Sequence, residues 1–326
     1  LKARFLLAMG PFLVPVIGTV ACHSGASPDP SAQPTPTSTT NIPSSSSTAA
    51  SDTPSALPVA SDTPPPPQLR DAGPIGHPPG MRPVTLPDGG VVYERMPFLG
   101  RPLRVQDEAR VAPSASRADW ILPLEMAIAT MPADERATLA DVWKRDAASE
   151  HASIASFSRF SLQLLALGAP ADLVEAAHDA ALDEARHARD AYALASAYAG
   201  EAVGPGPLDV RGALEHIADV TLAKLAIETF EDGCIGETIA AWDAREKAAS
   251  CTDSIVHEIL ARVADDEERH AALAWQAVAW AVKTGGDDVR VALKAAIARA
   301  ATNEALSRHG LFSTVIAPCF DALIAS

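Results

Sequence analysis

The chain has 326 residues, 48% hydrophobic and only 5% aromatic, with a net charge of −15. Residues 1–118 hold 9 Lys+Arg against 8 Asp+Glu, and the remainder holds 17 against 33. So acidic a C-terminal part argues against a nucleic-acid partner, which needs clustered cations to neutralise phosphate. The same composition excludes collagen, coiled-coil-only and multi-pass membrane classes.

At the N-terminus, Lys2 and Arg4 precede an apolar run from Phe5 to Val20, interrupted by Pro11 and Pro15. This is a positive n-region followed by an h-region too short and too broken to span a bilayer securely. The run ends in Thr19-Val20-Ala21-Cys22, which resembles a bacterial lipobox. That resemblance implies a signal peptide over residues 1–22, lipidation of Cys22 and a membrane partner reached through the lipid anchor. The expected location is then the cell envelope, outside the cytoplasm. Thr19 stands where such boxes usually carry Leu or Val, so a plain secretory signal or an uncleaved anchor stay as alternatives. Residues 23–79 are rich in Ser, Thr and Pro, with Pro64 through Pro67 in a row. They read as a disordered, polyproline-like tether with almost nothing to bury.

Residues 80–118 read as a small β-hairpin and extended segment. Val84-Thr85-Leu86 and Val91-Val92-Tyr93 flank a Pro87-Asp88-Gly89-Gly90 turn. Residues 119–326 form the helical domain, with a core at about 133–284. Of the 27 prolines, only Pro170, Pro205, Pro207 and Pro318 follow Pro132. Helices are expected over about 133–167, 170–199, 212–248 and 253–284, with a shorter one over 287–301. Gly168, Pro170 and Gly200 punctuate them in the usual sense of Gly after an end and Pro at a start. Helices near thirty residues long must support one another in a bundle.

Two of these helices carry carboxylates where apolar residues belong. On the second, the stripe Leu173, Ala177, Ala180, Glu184, His187, Ala191, Leu194 is apolar or small except for Glu184 and His187. On the fourth, Val256, Leu260, Val263, Glu267, His270, Ala274, Ala277 repeats the pattern. A stripe at this spacing faces the core, where an unpaired carboxylate costs several kcal/mol. A metal is the economical partner for two such Glu/His pairs.

The first helix adds Glu150 on its seam, and the third offers Glu228 and Glu231. Glu150 lies 17 residues before the end of its helix and Glu184 14 after the start of the next. Glu231 and Glu267 stand in the same relation across the second pair, 17 and 14 residues from the turn. Glu231 is therefore the favoured ligand, with Glu228 as an alternative or supporting group. Uniform α-helical spacing turns Glu237 away from the centre. An internal duplication agrees: DEARHA at 183–188 and DEERHA at 266–271 share five of six positions, and EHASIA from Glu150 parallels EDGCIG from Glu231.

At these residues the chain resembles the ferritin-like superfamily, in particular bacterioferritin and rubrerythrin, over roughly residues 133–284. The resemblance implies an all-α, ferritin-like four-helix bundle with one long crossover, here extended by a C-terminal helix. It further implies a non-haem dinuclear site, two iron ions with manganese as the other option. Glu184 and Glu267 would bridge, His187 and His270 would each supply a nitrogen, and Glu150 and Glu231 would be terminal carboxylates. There is no CxxC rubredoxin segment, no seam Met placed to hold a haem, and the tether is ill suited to a closed cage. The layout is closest to envelope lipoproteins carrying such a domain.

Asp183 and Asp266 are candidates to hydrogen-bond the ligand histidines of neighbouring helices. His151, His178, His216 and His257 read as exposed or locally paired, Cys234 as a small core residue, and Tyr192 and Tyr198 as packing groups. Cys251 and Cys319 are compatible with a disulfide. Two functions fit: an oxidoreductase reacting with dioxygen or peroxide, or a non-catalytic metal-binding or sequestering lipoprotein. The substrate, a small molecule or a metal, is not legible, and a homodimer is compatible with the domain.

Overall fold

The computed structural model describes residues 2–13, 81–85, 91–95, 101–126, 128–215, 217–302 and 310–325. The expected tether, Cys22 and His216 lie outside them. The chain is mostly helical. Helix α1 (Lys2–Leu13) is followed by the strands β1 (Met81–Thr85), β2 (Val91–Arg95), β3 (Arg104–Val105), β4 (Glu108–Ala109) and β5 (Ser114–Ala115). Then come α2 (Ala133–Ala166), α3 (Ala171–Ala199), β6 (Gly204–Pro205) and α4 (Leu222–Glu228). A π-helical segment (Thr229–Glu237) joins α4 to α5 (Thr238–Ser250), and α6 (Ser254–Ala300) follows. A second π segment (Phe312–Ile316) leads into α7 (Ala317–Ile324). Among the described residues no helix is long and apolar enough to cross a membrane.

Local chemistry sets the boundaries. Pro132 precedes α2, whose first turn carries Asp134 and Glu135 against the positive end of the helix dipole. Gly168 (φ 70°) and Gly200 (φ 73°) take the left-handed conformation that ends α2 and α3. Thr221 caps α4 by accepting from the Lys224 N–H, and Asp253 caps α6 by accepting from Ile255 and Val256. Gly286 (φ 60°, ψ −137°) breaks α6, which divides it where the sequence separates its fourth helix from the shorter one.

The β elements are small. β1 pairs antiparallel with β2, with Val84 opposite Val92, and the expected Pro-Asp-Gly-Gly turn lies outside the described residues. β3 and β4 turn through Gln106 and Asp107, both at positive φ. The connection read as irregular contributes a strand: β6 pairs antiparallel with β5, and the Gly206 N–H donates to Pro113 O at 2.6 Å. A Cβ on Gly206 would sit 3.0 Å from that same carbonyl oxygen, so glycine permits the approach.

Two apolar clusters organise the helices. One gathers Phe157, Phe160, Leu173, Ala180, Phe230, Trp275 and Phe320; the other gathers Trp143, Ala147, Ala188, Tyr192, Leu194, Val256 and Leu260. Along α2 the chain passes from the second cluster to the first, along α3 back again, and along α6 from the second to the first. Ile239 and Ala248 place α5 in the same sense as α3. The 200–221 connection must therefore run the length of the domain. Between the clusters, on α2, α3 and α6, lie Glu150, Glu184, His187, Glu267 and His270.

The described start of the apolar N-terminal run lies in α1, which packs on α6 and α7. Phe5 and Met9 are fully buried, and Phe5 stacks on Trp275 with centroids 6.4 Å apart.

Candidate metal centre

Six side chains converge in the layer between the apolar clusters. Glu150, Glu184, His187 and Glu267 each offer one ligand atom within 4.8 Å of the others, and Glu237, Glu267 and His270 do the same. Glu267 belongs to both groups. Glu184 reaches across as well, its Oε1 lying 3.2 Å from His270 Nδ1. His187 Nδ1 is 3.5 Å from Glu267 Oε1 and 3.8 Å from Glu150 Oε2. Glu184, His187, Glu237, Glu267 and His270 are at most 3% exposed; the Glu150 side chain is 25% exposed and opens the layer toward solvent.

Buried polar atoms are normally hydrogen-bonded. Here Glu184 Oε2, His187 Nδ1, both Glu237 carboxylate oxygens, Glu267 Oε2 and His270 Nδ1 have no hydrogen-bond partner. The orphaned atoms all belong to groups that coordinate cations, and they face one another. This donor set can hold a metal ion. Four carboxylates would also balance the charge of two divalent cations.

Protons occupy the place of that charge in the metal-free chain. Burial and the neighbouring Glu267 and Glu150 carboxylates push Glu184 well above the usual carboxylate range. Burial, then Glu267 and Glu184, do the same to Glu237. For His270, burial opposes the charged ring, but contacts with Glu184 and Glu267 outweigh it and raise the imidazole to about 10. His187 is likewise raised, burial being overcome by Asp266, Glu150 and Glu267. Glu267 goes the other way: burial would raise it, yet the two histidines hold it below the usual range.

The remote edge of each imidazole is fixed by an aspartate from the other half. His187 Nε2 on α3 lies 3.0 Å from Asp266 Oδ2 on α6, and His270 Nε2 on α6 lies 3.2 Å from Asp183 Oδ2 on α3. With Nε2–H donating to carboxylate, Nδ1 is the atom turned toward the glutamates, and its lone pair becomes free for a metal once its proton is lost. Asp183 and Asp266 therefore do what the sequence expects of them.

One expected ligand is not in the cluster. Glu231 has a 42% exposed side chain and accepts from Arg299 Nη2 at 2.6 Å. Glu237, expected to face away, is fully buried among the donors. The π segment is the cause. Its i→i+5 hydrogen bonding puts more residues into each turn, so the faces drawn for a uniform α-helix no longer apply beyond Glu228. Glu231 is rotated outward and Glu237 inward. Glu228, the expected alternative, accepts from Gln163 Nε2 at 3.0 Å and also lies outside both groups. Glu228, Glu231 and Asp232 instead line a cleft of about 670 Å³ with Arg104, Arg159 and Arg299.

A signal for this was present in Gly233 and Gly236, two glycines three apart in a helix interior. A Cβ on Gly233 would fall 2.6 Å from Ala274 Cβ and 3.1 Å from Arg101 Nη1. The close approach lets the segment lie flat on α6 and admits Arg101. That residue arrives from the segment before the helices, is 5% exposed, and sets its guanidinium 4.1 Å over the Phe160 ring.

The remaining candidates are structural. His178 Nε2 pairs with Ser161 Oγ at 2.9 Å and His257 Nδ1 with Ala248 O at 2.8 Å, while His151 packs edge-on against Trp120. Tyr192 and Tyr198 are buried in the second apolar cluster. Cys234, Cys251 and Cys319 are free thiols. Cys251 and Cys319 pack in different apolar clusters, which is why no disulfide joins them.

Comparison with known proteins finds no family model, no curated protein and no solved structure that matches this chain.

Proposed function

We propose that the chain is a ferritin-like four-helix protein whose layer of Glu150, Glu184, His187, Glu237, Glu267 and His270 holds two iron ions for reaction with dioxygen or peroxide. The observation that carries this reading is the convergence of orphaned, buried carboxylate and imidazole atoms from α2, α3, the π segment and α6. The shared direction of α3 and α5, with a long connection between them, supports the fold assignment. Glu184 and Glu267, each within reach of both histidines, are suited to bridge; Glu150 and Glu237 are suited to terminal positions.

Iron bound here would supply redox chemistry toward dioxygen or peroxide. The chain's own part is electrostatic and geometric. Four carboxylates favour the higher-charged metal state, the aspartates orient the imidazoles, and the two apolar clusters limit water on either side. Glu184 and Glu237, protonated without metal, would surrender those protons on loading. Near-complete burial of the donors favours small reactants over an organic substrate. The same burial supports a second reading, a non-catalytic protein that sequesters metal.

Following the Thr19–Cys22 segment, we place the protein at the cell envelope on a lipid anchor at Cys22, with the helical domain outside the cytoplasm. In the uncleaved chain α1 covers the face around Trp275; processing at Cys22 would uncover it. The test of function is to load the protein with ferrous iron anaerobically and follow its oxidation by dioxygen and by peroxide in a stopped-flow instrument. Rapid oxidation with two irons per chain is expected. Tight iron retention with no oxidation over hours would replace the enzyme reading with sequestration.

A further inference from the structure

The two ligand histidines are joined by one continuous chain of polar contacts crossing between α3 and α6. His187 Nε2 meets Asp266 Oδ2 at 3.0 Å. Asp266 Oδ1 is ion-paired with Arg269 Nη1 at 2.7 Å, and Arg269 Nη2 donates to Asp183 Oδ2 at 3.0 Å. The same Asp183 oxygen meets His270 Nε2 at 3.2 Å. Arg186, which occupies the place of Arg269 in the first repeat, pairs with Asp183 through its other oxygen. The duplication is thus asymmetric in its basic residues: Arg269 touches both aspartates.

Resting on the dinuclear reading, we propose that Arg269 is a positioning residue that couples the two half-sites by clamping Asp266 and Asp183 together. Each aspartate side chain is under 10% exposed, and both carry charge toward the same small region. Without Arg269, Asp183 keeps Arg186 and His270 and Asp266 keeps His187, but nothing ties the two carboxylates to one another. The planar guanidinium offers two donors at fixed spacing, a geometry that an ammonium does not reproduce. Ordering one aspartate through its histidine therefore orders the other. Binding of the first metal prepares the second half-site, and the two ions load together.

The Arg269 side chain is 47% exposed, so its replacement leaves the core packing intact. The test is a titration of the metal-free full chain with cobalt(II), followed by calorimetry and by the visible absorption of the bound ion. The unaltered chain should take two ions in a single cooperative step. Arg269→Gln should resolve this into two steps, the second ion binding about 10–100-fold more weakly, the loss typical when an outer hydrogen bond to a ligand is removed. Arg269→Lys should behave like Arg269→Gln, because one ammonium keeps the charge without the bridge, and it stands in if the glutamine variant fails to fold. Arg186→Gln should preserve the single step. An Arg269→Gln isotherm that superimposes on the unaltered one overturns the coupling and leaves the dinuclear reading standing. Failure of the unaltered chain to bind cobalt at all overturns both.

Discussion

Glu237 lies within ligand reach of His270, although an α-helical count from Glu228 puts it on the far side of its helix. Its neighbour in sequence, Glu231, is at the surface in an ion pair with Arg299. Glu237→Gln should therefore lower metal content from two ions to one or fewer per chain, while Glu231→Gln should leave it unchanged. Elemental analysis of the purified variants after loading decides between them. Equal losses would show that the π segment does not set the ligand.

Removing Asp266 should act through His187. Asp266→Ala deletes the acceptor 3.0 Å from Nε2 and lets the ring choose either tautomer. Metal affinity should fall about 10–100-fold, as for other outer partners of ligand histidines. Competition with a coloured chelator measures this. An unchanged affinity would mean that packing alone orients the imidazole.

Metal loading at neutral pH should expel protons. His270, raised to about 10, and His187, raised in the same sense, hold a proton on Nδ1 that a metal must displace. Glu184 and Glu237 carry further protons. Roughly two or more should be released per pair of ions, measurable with an indicator dye in weak buffer. No release would contradict the assignment of these atoms as ligands.

The same shifts fix the pH dependence of the metal-free chain. A group whose folded pKa is raised contributes stability that is complete below its unfolded value and disappears as pH rises through the folded value. For His270 that window runs from about 6.5 to about 10, and His187, Glu184 and Glu237 act in the same direction. The melting temperature of metal-free protein should fall steadily across this range. Loaded protein, which has already lost those protons, should lack the slope.

Gly233→Ala should destabilise the chain by about 1–3 kcal/mol, the usual cost of overpacking, because the new methyl would press on Ala274 at 2.6 Å. Thermal or urea unfolding reads this directly. A neutral outcome would show that the π segment can lift from α6 without penalty.

The sequence carried much of this arrangement because Glu184, His187, Glu267 and His270 sit on α-helical stripes whose other members are apolar. Regular spacing made their direction readable, and Glu150 followed from the height of its helix. Reading stopped where regularity stopped. Glu237 was inaccessible to any count that assumes uniform turns, and only Gly233 and Gly236 hinted that the helix changes type there. Arg101 was invisible for a different reason: it enters from a segment more than thirty residues before α2, and no local period predicts such an insertion. The pairing of β5 with β6 is likewise a long-range contact between a short stretch and the Gly-Pro connection.

Anomalous diffraction at the iron edge from crystals of the loaded protein tests the central claim most directly. Two peaks about 3.5–4 Å apart are expected, both touching Glu184 and Glu267, one beside His187 and Glu150 and the other beside His270 and Glu237. A peak in the cleft of Glu228 and Glu231, or none between the two apolar clusters, would contradict the account.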